Sequence, residues 1–167
     1  MQAFHWLTVI LVLAAYGLSK SDGYSLYSAE ADGLRRVHET LGVLVFLVLG
    51  LRLLWGLSDE SPVKHAMPWL MAAASTCVRL VIYALLISIP ATGVLGTWLE
   101  GIPLTLIGLD VMPQIVQSQS LGQQVMALHI ILGEALLWVA GVHAAAALFH
   151  HFALRDNVLR SMLPRQE

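Results

Sequence analysis

Charge is scarce in this chain. Charged residues make up 12% of 167 positions, and nine cations against eleven anions leave a formal net charge of −2. So small and dispersed a balance excludes nucleic acid as a partner. Cysteine is scarcer still: Cys77 stands alone, which excludes an internal disulfide and any cysteine-ligated metal or iron–sulfur centre. Metal chemistry, if present, has to rest on carboxylates and the seven histidines. What the chain has in quantity is apolar surface. At 57% hydrophobic residues and a mean hydropathy of +0.74 it lies outside the soluble range and reads as a membrane protein.

Cutting the chain at its charged and Pro/Gly-rich stretches leaves four apolar segments, about 3–18, 39–57, 80–98 and 125–149. Each is near the roughly 20 residues that a helix needs to cross the hydrocarbon. The expected fold is all-α, an integral membrane four-helix bundle, with 1–167 as a single domain. The first segment lacks a basic n-region, so a retained helix carrying His5 and Trp6 is expected over a signal peptide. Pro68 to Val78 reads as a lead-in at or outside the membrane, Arg79 as lying near a membrane face, and Pro90 as a kink in the third span. Leu99 to Gln124, with Pro103, Pro113 and "QSQSLGQQ", reads as the longest outer loop. Arg52, Lys64, Arg79, Arg155, Arg160 and Arg165 fall on one side of the membrane, against Lys20, Arg35 and Arg36 on the other, which predicts both termini to be cytoplasmic.

Histidines inside these spans carry the chemistry. "HIILGEALLWVAGVH" (129–143) separates two of them by fourteen residues, which on a helix rises about 21 Å and returns to nearly the same face. His129 and His143 therefore cannot share a metal, and each needs a partner from another helix. His38 opens the second span level with His129, and His5 lies in the first span level with His143. Two opposed imidazole pairs at two depths suit six-coordinate b-type haem, in which the porphyrin supplies four nitrogens and histidines the axial positions. "HETLG" (38–42) and "HIILG" (129–133) place Gly42 and Gly133 one turn after a histidine, where a flat macrocycle could approach the backbone. Arg52, fourteen residues after His38, is placed for the propionates of the inner group, and Arg36 or Arg35 for the outer.

Plainer readings stand beside these. A membrane histidine can be an interhelical hydrogen-bonding residue, and the glycines can be packing residues. His65 reads as solvated; His150 and His151 read as interfacial, His150 being an alternative ligand to His143. Glu134 reads as a neutral, hydrogen-bonded acid within the bundle or as a proton relay. A haem-free, proton-linked transporter built on Glu134 and the histidines remains a separate class.

Together, "FHW" (4–6), "HETLG", "LRLL" (51–54), "LVIYALLISIPATG" (80–93) and above all "GVHAAAALFHHFALRDNVLRSMLP" (141–164) resemble the bacterial cytochrome b561 family over nearly the whole chain. The resemblance implies a multi-pass protein of the bacterial inner membrane holding two non-covalent haems b, with His5, His38, His129 and His143 at the ligand positions. It also implies electron exchange between ubiquinone and a periplasmic donor or acceptor, one member of the family oxidising superoxide; a quinol-oxidising subunit serving a separate redox partner is the alternative. Membrane lipid and quinone are the expected partners, with monomer and homodimer both open. The chain departs from the family at Thr76 and Arg79, where histidines are common, and in an N-terminus short enough that an upstream initiator is expected to be worth testing. In the outer segments, Lys20, Arg35 and Arg36 stand against Asp22, Glu30, Asp32, Glu100 and Asp110, a balance that would repel an anion.

Overall fold

The computed structural model describes residues 2–19, 32–58, 69–112, 117–155 and 159. Lys20, Asp22, Glu30, Lys64, His65, Pro68, Pro113, Arg160 and Arg165 lie outside the described residues.

Four helices account for most of what is described: α1 (Gln2–Ser19), α2 (Asp32–Ser58), α3 (Trp69–Glu100) and α4 (Gln119–Phe149). Each is long and apolar enough to cross a membrane. Three begin well before the apolar runs do, for local reasons. Asp32 opens α2, where a carboxylate suits the helix N-terminus, and it binds Arg35 at 2.6 Å and Arg36 at 2.7 Å one turn on, so the charged stretch extends the helix rather than ending it. The lead-in from Trp69 is itself helical: it is rich in alanine, free of glycine and proline, and continuous with α3, which reaches 32 residues or about 48 Å. Likewise the polar "QSLGQQ" forms the first turns of α4, shortening the expected outer loop.

Helix α3 runs on through Pro90, which removes one backbone donor. Thr92 and Thr97 sit just beyond it and return their hydroxyls to the backbone, Thr92 to Ser88 O at 2.8 Å and Ile89 O at 2.9 Å, Thr97 to Val94 O at 2.9 Å. At its other end α4 passes into a single wide turn, His150–Leu154, closed by Arg155 in the left-handed region at φ 54°.

The helices pack as two hairpins, α1 on α2 and α3 on α4, joined mainly where α2 meets α3. The α3–α4 pair crosses closely at Gly96 and Gly122: a Cβ added to Gly122 would lie 3.2 Å from Gly96 O and against the Glu100 side chain. The core is small and central. Val45, Leu49, Leu85, Leu86 and Leu136 are buried together, with Leu11, Val12, Ile82 and Tyr83 against them. On each helix these residues fall between the two histidine levels: Leu136 midway between His129 and His143, Val45 and Leu49 between His38 and Arg52, Leu11 beyond His5. Large apolar side chains otherwise face outward, as lipid-solvated helices require.

Between α3 and α4 the chain makes a minimal hairpin, β1 (Thr105–Leu106) and β2 (Leu109–Asp110), turning at Ile107 and Gly108 with φ of 51° and 80°. Two two-residue strands do not hold themselves together in water. This one is strapped to α2: Thr105, fully buried, gives its N–H to Glu39 Oε2 at 2.8 Å, and Ile107 gives its N–H to Thr40 Oγ1 at 3.2 Å. Arg35 completes the strap, donating to Glu39 Oε1 at 2.7 Å and to Pro103 O at 3.0 Å.

Candidate haem site

At the strapped end of the bundle, α2 and α4 bring the rings of His38 and His129 together edge to face. Their ring centres are 6.1 Å apart and their planes cross at 80°. Each ring is fixed by the other helix of its own hairpin. His38 Nδ1 lies 2.8 Å from Ala15 O of α1, and His129 Nδ1 lies 2.8 Å from Ile89 O of α3. A carbonyl can only accept, so each Nδ1 carries the proton and each Nε2 keeps its lone pair. That tautomer is what a metal-binding imidazole held from behind by a backbone carbonyl requires.

Two such rings gripping one ion end-on would put their centres about 6 Å apart, given metal–nitrogen bonds of about 2 Å. Among the described residues no three metal-ligating side chains converge, and a macrocycle is one source of the further donors that an ion held by two histidines needs. A Cβ added to Gly42 or to Gly133 meets nothing within 4 Å, so neither expected glycine is needed for close helix packing and neither obstructs the approach of a flat group one turn inward from its histidine. Gly93 has the opposite environment. A Cβ there would lie 3.1 Å from His129 Cε1 and 3.2 Å from Nδ1, so its bare backbone lets the ring reach Ile89 O.

Arg36, expected to meet the propionates here, is held by Asp32 at 2.7 Å, and Arg35 is buried and shared between Asp32 and Glu39. Both cations are thus already paired within α2.

The opposite end is more open. His5 is half-buried with its ring edge on Trp6 at 5.5 Å, and it lies within electrostatic reach of Arg52 and His143; His143 is exposed. Phe4 packs on Trp55 at 6.3 Å and fixes α1 to α2 at this level. Arg52 stacks its guanidinium 5.5 Å over the Tyr83 ring, while its Nε is buried with no hydrogen-bond partner among the described residues. A buried, unpaired guanidinium nitrogen calls for an acceptor, and a carboxylate of a bound group would supply one. The residues present at both ends therefore fit haem.

Other expectations resolve differently. Glu134 is exposed on α4 rather than enclosed among the helices. Thr76 and Arg79 are bonded to each other at 3.3 Å on the exposed start of α3. Sequence reasoning missed the buried Arg35–Glu39–Thr105 network, the carbonyls of Ala15 and Ile89, and Gly93; the available signals were the i,i+4 spacing of Arg35 and Glu39 and the "PATG" that places a threonine and a glycine just after Pro90.

Comparison with known proteins gives the family. Residues 1–165 match the family described as prokaryotic cytochrome b561. The chain is 30% identical to a probable superoxide oxidase CybB of Yersinia pestis, covering 97% of this chain and 92% of that one. It is 26% identical to cytochrome b561 homolog 1 of Escherichia coli strain K12 (98% and 94% covered) and 28% identical to homolog 2 of that strain (96% and 87% covered). On these grounds the chain belongs to the prokaryotic cytochrome b561 family, and is a multi-pass haem protein of the bacterial membrane that carries electrons.

Proposed function

We propose that the chain holds two haems b, one between His38 and His129 and one between His5 and His143, and passes single electrons across the membrane between ubiquinone and a periplasmic donor. The observation that carries this reading is the crossed histidine pair at 6.1 Å, each ring pinned through Nδ1 and presenting Nε2. Bound haem supplies a reversible one-electron store. The protein's own residues do the rest: His38, His129, His5 and His143 hold the irons, Ala15 O and Ile89 O raise the basicity of the outer ligands, and Arg52 neutralises propionate charge at the inner level. Fourteen residues separate His129 from His143, about 21 Å of rise, and the core around Leu49 and Leu136 keeps water out of the interval. Both termini are read as cytoplasmic, which makes the strapped end periplasmic.

Superoxide is the leading donor, on the likeness to a probable superoxide oxidase. Two superoxide ions would lose one electron each, leaving two molecules of dioxygen, and one ubiquinone would take up both electrons with two protons. A second reading is favoured by the pairing of Arg35 and Arg36 with Asp32 and Glu39, which leaves these two cations little field to attract an anion. In it the protein oxidises quinol and serves a separate redox partner. The transporter reading has less support, because Glu134 is exposed and is not among the buried polar residues of the bundle.

The test is spectroscopic. His129→Ala should remove the outer haem and leave the inner one; His143→Ala should do the reverse. If both variants lose the same haem, the pairing is wrong. Ionic strength then separates the donors. Repulsion of superoxide by an acidic mouth would be screened by salt, so reduction by superoxide should accelerate as salt is raised while reduction by ubiquinol stays level.

A further inference from the structure

The hairpin tip has a chemistry that its turn does not favour. Backbones with positive φ at both central positions are ordinarily built from Asn, Asp or Gly. Here the first position is Ile107, a β-branched residue at φ 51°, beside Gly108 at φ 80°. Such a residue in the left-handed region is a genuine outlier, and nothing in the tip's own packing explains it. Ile107 is 87% exposed and Leu109 is 71% exposed; Val111, next along, is half-exposed. Meanwhile the polar atoms nearby are satisfied internally: Asp110 Oδ1 accepts from the Thr105 hydroxyl at 2.9 Å, Val111 gives its N–H to Leu104 O at 2.9 Å, and Ile107 gives its N–H to Thr40. The tip therefore presents apolar side chains on a backbone whose N–H groups at Ile107 and Val111 need no water.

Position along α2 points to what covers them. The tip is bonded to Thr40, four residues or about 6 Å of helix rise inward from Arg36 and twice that from Asp32, the charged pair at the polar start of α2. Trp98, an amphipathic ring partly exposed near the end of α3, lies just before the same loop, and the outward faces of α2 and α3 nearby are apolar, with Val37 and Leu95 exposed. Ile107 and Leu109 thus continue the lipid-facing surface of the spans. We propose that the Thr105–Asp110 hairpin is an interfacial wedge whose tip, Ile107 with Leu109, inserts among the acyl chains of the leaflet at the His38 end. The Arg35–Glu39–Thr105 strap then acts as its hinge-free mount, holding the wedge at fixed depth beside the histidine pair.

The test uses the full-length protein in nanodiscs of phosphatidylethanolamine and phosphatidylglycerol, with Cys77→Ser to leave one reactive thiol at a time. Ile107→Cys and, as an independent position, Leu109→Cys are spin-labelled and their collision rates measured with oxygen, which concentrates in lipid, and with a water-soluble nickel chelate. Ile131→Cys, mid-span and exposed on α4, calibrates lipid; Gln119→Cys, at the start of α4, calibrates water. Both tip labels are expected to follow Ile131→Cys, with oxygen access several-fold above nickel access. Labels that follow Gln119→Cys overturn the proposal, because the tip then stands in water or meets a soluble partner. Labels shielded from both reagents overturn it too, because the tip is then buried against protein, such as a second copy of the chain.

Discussion

Gly93→Ala is the smallest change that interrogates the ligand geometry. The added methyl would sit 3.1 Å from His129 Cε1 and 3.2 Å from Nδ1, inside ordinary contact distance, and both positions are backbone-fixed on one side and ring-fixed on the other. The ring has to give by a few tenths of an ångström, away from α3 and therefore away from Ile89 O, its partner at 2.8 Å. Loss of that hydrogen bond costs about 1 kcal/mol. Because the bond makes the imidazole a stronger donor to iron, it favours the ferric state, and weakening it raises the midpoint of the outer haem. If all of the 1 kcal/mol is differential between the oxidation states, the rise is about 40 mV, at 59 mV per tenfold change for one electron. Potentiometric titration followed in the visible bands reads both haems of the proposed pairing at once, so the midpoint of the one assigned there to His5 and His143 is the internal control. Outright loss of the outer haem is the limiting case of the same displacement. Two haems bound with an unmoved outer midpoint, or a shift confined to the inner one, would refute the reasoning.

Three further outcomes are expected. Arg52→Gln removes a cation from the inner level, which stabilises the ferric state there, so the inner midpoint falls by tens of millivolts in the same titration while the outer holds. Glu39→Ala leaves Arg35, with a side chain only 8% exposed, without its buried partner, and unties Thr105 as well; about 3 kcal/mol of stability is lost, read as a lowered midpoint of thermal unfolding in detergent, with Glu39→Gln losing less because its one amide oxygen still accepts from one of the two donors. Gly122→Val forces α4 away from Gly96 and Glu100 and costs about 1–3 kcal/mol in the same assay, whereas Gly17→Val, bordering open space, is nearly neutral there.

The spans and the histidine levels were legible because each rests on a one-dimensional quantity. An apolar run long enough to cross the hydrocarbon shows in composition, and fourteen residues fix a rise and an azimuth whatever surrounds them. The helix starts were not: in the stretches from Asp32 and Trp69, local pairing and alanine content decide the backbone, and hydropathy does not register them. Orientation about the helix axis was also hidden. A helix apolar all round gives no moment to aim by, so Glu134 could be counted within α4 while its exposure could not be read. Partnerships between distant segments are invisible for another reason. Glu39 and Thr105 lie 66 residues apart, and the partners of His38 and His129 are carbonyls, which every residue carries and no sequence marks. Arg36 illustrates the cost: its position is right for an anion, and only the geometry of α2 shows that Asp32 already supplies one.

Each histidine of the crossed pair is oriented from inside its own helical hairpin, while α2 and α4, which carry them, are scarcely packed on one another. Two half-sockets can therefore be finished separately as the chain enters the bilayer, each with its imidazole already aimed, and the prosthetic group becomes the rivet that closes one on the other. Cofactor supply, on this view, sets when the protein matures and not merely whether it works.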